Sequence, residues 1–176
     1  MRGWSDGDLA RLLRDRPDLA WPEPSSLAAL ATRAATRPSV ERALASLNRY
    51  ELDAAEALVV LTDAGAAGPS GRSTSEDAIS QAIGADAGPA IATLRRLALV
   101  TGAPDALLPL PPVSEALGPY PAGLGPSLAT LDATAPANGH PPADPASLKA
   151  ALDDAPDGAR RIIDALRWGP PVGTVD

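Results

Sequence analysis

The 176-residue sequence contains no cysteine, no phenylalanine and a single histidine. Without cysteine, the chain forms no disulfides, thiolate metal sites or cysteine nucleophiles. His140 lies in "ANGHPPAD", a stretch typical of an exposed linker, and one histidine cannot form a zinc site by itself. A Ser-His-Asp triad would have to use this linker residue, so we reject that chemistry.

Aromatic residues make up 3% of the chain, and most of its apolar content is Ala, Leu and Val. Aromatic side chains bury the largest apolar areas, so their scarcity favours small helical units of modest stability. Trp4, Trp21 and Trp168 lie near predicted element boundaries. We expect them to pin short helices onto a core, the alternative being anchors for a partner.

Long apolar runs are also missing, and none approaches the roughly 20 residues that a membrane-spanning helix needs. The start, "MRGWSDGDLARLL", has acids where a signal peptide has its apolar stretch. We therefore expect a cytoplasmic protein with no membrane partner. A phosphate-binding loop is absent as well, because the single lysine, Lys149, follows Leu148 and not glycine.

Acidic residues are plentiful, but no pattern brings two of them into one cleft, as a catalytic pair requires. Most lie on predicted helix exteriors or in first turns, where they favour the helix dipole. We therefore predict that the chain is not an enzyme and needs no cofactor or metal. The acids weighed for catalysis are Asp53, Glu56, Glu76, Asp77, Asp153, Asp154 and Asp157.

The net charge of -7 is unevenly spread along the chain. Residues 1–49 hold eight Arg and six acids, which gives +2, whereas the rest hold seven bases and 16 acids, which gives -9. An acidic body repels phosphate, so charge-driven DNA binding by this chain alone is disfavoured.

Residues 1–49 have the pattern of three short helices. Ser5 and Asp8 form a capping-box pattern ahead of the first, and Pro17 ends it. Pro38 separates the second from the third, because proline is tolerated in a helix's first turn but not in its interior. The predicted inner faces are Leu27, Leu30, Ala31 and Ala34, and then Val40, Ala43, Leu44 and Leu47.

Residues 51–113 have the pattern of a helix-turn-helix followed by a hairpin. A long helix is predicted from residue 51, and a capping box at Ser73 and Glu76 opens a second helix that Gly84 ends. A third helix follows the short turn "GADAG". Two strands around a tight turn, "GAPD", then supply a wing whose second strand the prolines restrict to a sheet edge.

The predicted fold is therefore mainly α, with short N-terminal helices and a winged helix-turn-helix that has a small β-hairpin wing. We predict an N-terminal helical region at 1–49 and a winged-helix domain with a Pro/Gly-rich extension at 50–131. A linker over 132–146 leads to a second helical, or winged-helix, unit over 147–176. That unit breaks off early, so we expect the chain to be the N-terminal piece of a longer protein.

Arginines are the candidate nucleic-acid contacts. Arg95 and Arg96 lie late in the predicted recognition helix, although such helices usually contact bases through their N-terminal half. They either pair with acids or contact phosphate, and Arg72, in the loop before the second helix, is a weaker candidate. The basic N-terminal region either meets nucleic acid or an acidic partner, or is a solvated surface. It consists of Arg33, Arg37, Arg42 and Arg49, with Arg11, Arg14 and Arg16.

Five stretches resemble one known family: "LARLLRDRPDLA", "PSSLAALATRAATRPSVERALASLNRYELDAAEALVVL", "TLRRLALV", "LGPYPAGLGPS" and "ARRIIDALRWGPPVGTV". They are similar to the N-terminal region of actinobacterial helicase-associated proteins, which carry a domain similar to the N-terminal domain of XPB-type DNA repair helicases further along. The resemblance covers most of 8–131 and 147–175. It implies tandem winged helices and an accessory role beside an XPB-type helicase or another DNA-processing protein, and it supplies no catalytic residues.

Three functions remain open at this point. The first is a helicase-associated module that acts through protein contacts and DNA-backbone contacts. The second is a transcription regulator that binds a specific duplex through residues 86–96. The third is a scaffold that binds only proteins. The polar-poor third helix puts direct base reading in doubt.

Overall fold

The structure is a computed structural model that describes residues 4–63, 73–125 and 145–168. The chain divides into two compact units, of which the first is Met1–Ala122 and the second is Gly123–Asp176. Among the described residues, none of the helices has the length and apolar character that a bilayer crossing requires.

The first unit begins with four helices: α1 (Asp6–Asp15), α2 (Pro17–Ala20), α3 (Leu27–Ala34) and α4 (Arg37–Ala45). The capping box before α1 is confirmed, since the Ser5 hydroxyl accepts from the Asp8 amide at 3.2 Å. In return, the Asp8 carboxylate accepts from the Ser5 amide at 3.1 Å. The sequence pattern did not predict α2, because four residues are too few to show a helical period.

The helix-turn-helix is confirmed as α5 (Arg49–Asp63), α6 (Glu76–Ile83) and α7 (Gly88–Arg96), with α5 packed against both of the others. Gly84 ends α6 with a left-handed φ of 68°, as predicted. The turn into α7 is fastened by a side chain of α6, because the Ser80 hydroxyl accepts from the Ala87 amide at 2.9 Å.

The predicted start of α6 is wrong by two residues. Ser75 is the capping residue, and its hydroxyl accepts from the Ala78 amide at 3.1 Å. Ser73 cannot cap α6, because Thr74 beside it is extended and forms an antiparallel bridge with Leu107. This single-residue bridge adds a third segment to the wing.

The wing itself consists of β1 (Val100–Thr101) and β2 (Leu108–Pro109), which pair in antiparallel fashion with Val100 opposite Pro109. Gly102 opens the turn between them with a φ of 97°, and a Cβ there would lie 1.9 Å from the Ala106 carbonyl oxygen. A short helix, α8 (Pro111–Leu117), and a 3-10 turn (Pro121–Gly123) follow. The fold class is thereby confirmed: the chain is mainly helical and winged-helix-like, with a small β-hairpin.

Two clusters of apolar side chains form the core of this unit. The larger joins α4 to the helix-turn-helix and the wing, so Val40, Ala43 and Leu44 pack with residues far along the chain. The smaller consists of Leu12, Leu19, Leu30, Ala34 and Ala98, and it joins the N-terminal helices to the end of α7.

Two predictions about apolar residues in this region are wrong. Leu27 has the predicted period but is 56% exposed, because the first turn of α3 extends past the smaller cluster. Trp21 is 83% exposed in the loop after α2 and so pins no helix. Trp4, by contrast, packs partly buried against the smaller cluster as expected. The side chain of Trp168 lies outside the described residues.

The second unit is a helical pair, as predicted, formed by α9 (Pro145–Asp153) and α10 (Asp157–Trp168). Arg160 fastens the turn between them, because its Nε donates to the Ala155 carbonyl at 2.8 Å. Most of the predicted linker, 132–146, lies outside the described residues, as does His140.

Candidate interaction groove

A buried arginine sets the position of the N-terminal helices on the winged helix. Arg16 follows α1 directly and is 2% exposed. Its Nη1 donates to the Leu97 carbonyl at 2.9 Å, and its Nη2 donates to the Ala34 carbonyl at 3.2 Å. One guanidinium thus joins α1, α3 and the end of α7.

The same guanidinium is part of a small polar network. Nη2 also donates to the Ser39 hydroxyl at 2.5 Å, and it lies 3.8 Å from an Asp18 carboxylate oxygen. The Ser39 hydroxyl in turn donates to Asp18. Burial lowers the pKa of the Arg16 guanidinium, and the Asp18 charge opposes that shift. Arg16 belonged to the predicted basic surface, and its burial shows that this assignment was wrong.

Arg33 also contacts protein rather than solvent alone. Its Nη1 donates to the Leu19 carbonyl at 3.1 Å and to the Pro22 carbonyl. These two bonds fix the loop that carries Trp21, so the sequence prediction that Arg33 contacts nucleic acid competes with a clear structural role. Arginine suits this role because its planar fork presents several donors at once.

The other predicted contact residues differ in their surroundings. Arg37 pairs with Glu41 along α4 at 2.8 Å, a hydrogen bond that raises the Arg37 pKa. Arg42 is exposed and makes no ion pair within the ranges described above. Arg72 lies outside those ranges. Contacts of Arg42 and Arg72 with phosphate stay predictions.

Arg95 and Arg96, at the end of α7, differ from each other. Arg96 forms an ion pair with Asp15 of α1, which is one of the two roles foreseen for it. Arg95 is half-buried, and its Nη2 atom is buried with no hydrogen-bond partner among the described residues. Whether either contacts phosphate stays a prediction.

These two arginines line a groove of about 760 Å³ between α1, α3, α7 and the start of the wing. Small apolar side chains line much of it, and the most buried of them are Ala34, Val100 and Ala98. Its charged lining residues are Arg11, Arg95, Arg96 and Asp8. Three cations therefore face one anion, in a protein whose net charge is -7. The sequence did not reveal this groove, because it forms between segments that lie about eighty residues apart.

The exposed face of the recognition helix is poor in groups that could read bases. The exposed residues of α7 before Arg96 are Pro89 and Ala92, and Thr93 is half-buried; Asp86 is exposed in the turn just before the helix. Base edges in the major groove are read mostly by Arg, Lys, Asn and Gln side chains. This face offers a carboxylate, a ring and a methyl group instead.

The acidic residues in the described part of the molecule form no metal site. Among these residues, no group of three His, Asp or Glu side chains is placed to hold a metal ion. The groove's charged residues include one carboxylate, Asp8, whose pKa is lowered by hydrogen bonds from Ser5 and by Arg11. A carboxylate in this state accepts hydrogen bonds and is a weak proton acceptor at neutral pH.

No protein-family model, curated protein or solved structure matches this chain.

Proposed function

We propose that this chain is a non-enzymatic interaction module of a DNA-processing assembly in the cytoplasm. Its winged-helix unit binds a protein partner, an XPB-type helicase or another DNA-processing protein, and its DNA contacts are limited to the phosphate backbone. The groove beside the C-terminal half of α7 is the observation that carries this proposal, because it combines apolar walls with unevenly paired arginines in one pocket.

Two further features support a protein partner. The N-terminal helices lie against the C-terminal end of α7 through Arg16 and the Asp15–Arg96 pair, so that end of the helix already has a protein neighbour. The negative net charge also weakens attraction to a polyanion. The link to a helicase rests on the family resemblance of the sequence.

The test compares two binding measurements on the full chain. We expect fluorescence anisotropy with labelled duplex to show weak binding that falls steeply with salt and is nearly independent of sequence. We expect a purified actinobacterial XPB-type helicase to be retained by the immobilised chain at a salt concentration that abolishes DNA binding. Discrimination between duplexes of about a thousandfold would instead identify a sequence-specific regulator and contradict the proposal.

A further inference from the structure

We infer that the groove between α1, α3 and α7 binds an extended peptide segment of a partner protein in which apolar residues alternate with carboxylates. This inference rests on the proposed function and specifies what the partner contributes. All residues that line the groove lie within the first unit.

The apolar half of this specificity comes from alanines. Ala31, Ala34 and Ala35 of the α3 region face the groove from one side, and Ala92 of α7 faces it from another. Methyl groups leave room for larger side chains, so leucine-sized residues of a ligand can be buried against them. A wall of this kind offers nucleotide bases no stacking surface, apart from Trp4 at one point.

The charged half comes from Arg95. Its Nη2 is buried without a partner among the described residues, and an unpaired buried donor is unfavourable. Arg95 also lines the groove, so its guanidinium provides a cation for a carboxylate of the ligand. Arg11, whose side chain is 61% exposed and pairs with Asp8 at 3.4 Å, adds a second cation.

The alanine wall decides between a peptide and a nucleic acid as the ligand. A single-stranded nucleic acid carries a phosphate on every nucleotide but no aliphatic side chain, so it leaves the alanines without an apolar partner. An extended peptide places its side chains on alternate sides, so its apolar residues can face the alanines while its carboxylates face the arginines. The peptide therefore complements both the alanines and the arginines of the groove, whereas the nucleic acid complements only the arginines.

The experiment is an NMR titration of the full ¹⁵N-labelled chain with three probes. They are a capped hexapeptide of alternating Leu and Asp, the same peptide with Asn for Asp, and an oligo-dT. We expect the acidic peptide to shift the amides of Ala92, Thr93 and Arg95, and the Asn peptide to bind about tenfold more weakly. Equal binding of both peptides, or tighter binding of oligo-dT at these amides, would overturn the inference.

Two variants locate the site. Arg95→Gln removes the charge, and Ala92→Leu fills the groove from an exposed position that tolerates a larger side chain. Each is expected to weaken the acidic peptide about tenfold. Arg42→Gln and Ala82→Leu are matched controls, because both residues are exposed and lie outside the groove lining. Unchanged binding in Ala92→Leu contradicts the site even if Arg95→Gln fails to fold.

The peptide result and the helicase result are independent. If the chain retains the helicase equally well with and without Ala92→Leu and does not bind the acidic peptide, the proposed function stands and the peptide site in the groove is refuted. If the chain binds the acidic peptide at the groove but retains no helicase, the peptide site stands and the helicase is refuted as the partner.

Discussion

Arg16 offers the sharpest test of how the first unit is held together. Arg16→Met keeps most of the apolar stem but removes every donor of the guanidinium. The Leu97 and Ala34 carbonyls would then lose their partner, as would the Ser39–Asp18 pair. We therefore expect a large loss of stability with no loss of exposed surface contacts.

The magnitude follows from these contacts. A buried acceptor left without a donor costs about 1–3 kcal/mol, and removing one partner of a buried ion pair costs about 3–5 kcal/mol. The contributions share one guanidinium and do not add. We expect a decrease of about 3–5 kcal/mol in the free energy of unfolding, against a total of about 5–15 kcal/mol for a typical domain.

Urea denaturation followed by far-ultraviolet circular dichroism measures this change. Arg14→Met is the matched control, since Arg14 lies exposed in the last turn of α1 and should change stability by less than about 0.5 kcal/mol. Arg16→Lys should fall between the two, because lysine keeps the charge and loses the planar fork. A loss below about 1 kcal/mol in Arg16→Met would refute the reasoning, because it would mean that the network contributes little.

Three further predictions concern caps, turns and protonation. Ser75→Ala should lower the unfolding free energy by about 1 kcal/mol, whereas Ser73→Ala should leave it nearly unchanged. Urea denaturation measures both values, and a larger loss in Ser73→Ala would show that Ser73 is the capping residue, as predicted from sequence. Gly102→Ala should reduce the thermal midpoint more than Gly84→Ala, because both have positive φ but only at Gly102 does a new Cβ strike the backbone, 1.9 Å from the Ala106 oxygen; equal shifts would argue against a tight turn. The pKa of Asp8, measured by ¹³C NMR titration, should lie below 3.8 owing first to the Ser5 side-chain hydrogen bond, and Ser5→Ala should raise it. Since this pKa is lowered by folding, its stabilising contribution is present at neutral pH and disappears as the pH falls below 3.8 through the folded-state value, and an unchanged pKa in Ser5→Ala would contradict this cause.

Several elements could be predicted because their signals are local. The capping box at Ser5, the stop at Gly84 and the apolar period of α4 all depend on residues within a few positions of one another. The hairpin followed from a short turn with glycine between two apolar stretches. Local chemistry was sufficient in each case, and the structure confirms these elements.

The candidate site was much less accessible from the sequence. The arginines of 1–49 had one pattern of charge, yet Arg16 is buried, Arg33 fastens a loop and Arg37 pairs within its own helix. Nothing adjacent in the sequence distinguishes these roles, because each depends on which distant carbonyl or carboxylate lies beside the guanidinium. The error at Ser73 has the same origin, since the bridge between Thr74 and Leu107 decides where α6 begins.

The sequence by itself therefore determined most of the helices, their order and the winged-helix-like class, because helical periods, caps and turns are set by neighbouring residues. Its charge balance also predicted that free DNA would be a poor partner for the chain. Only the tertiary structure decided which arginines are exposed and that α1, α3 and α7 enclose a groove. The physical reason is distance along the chain: Arg16 and Leu97 are 81 residues apart, and no local pattern records that they meet.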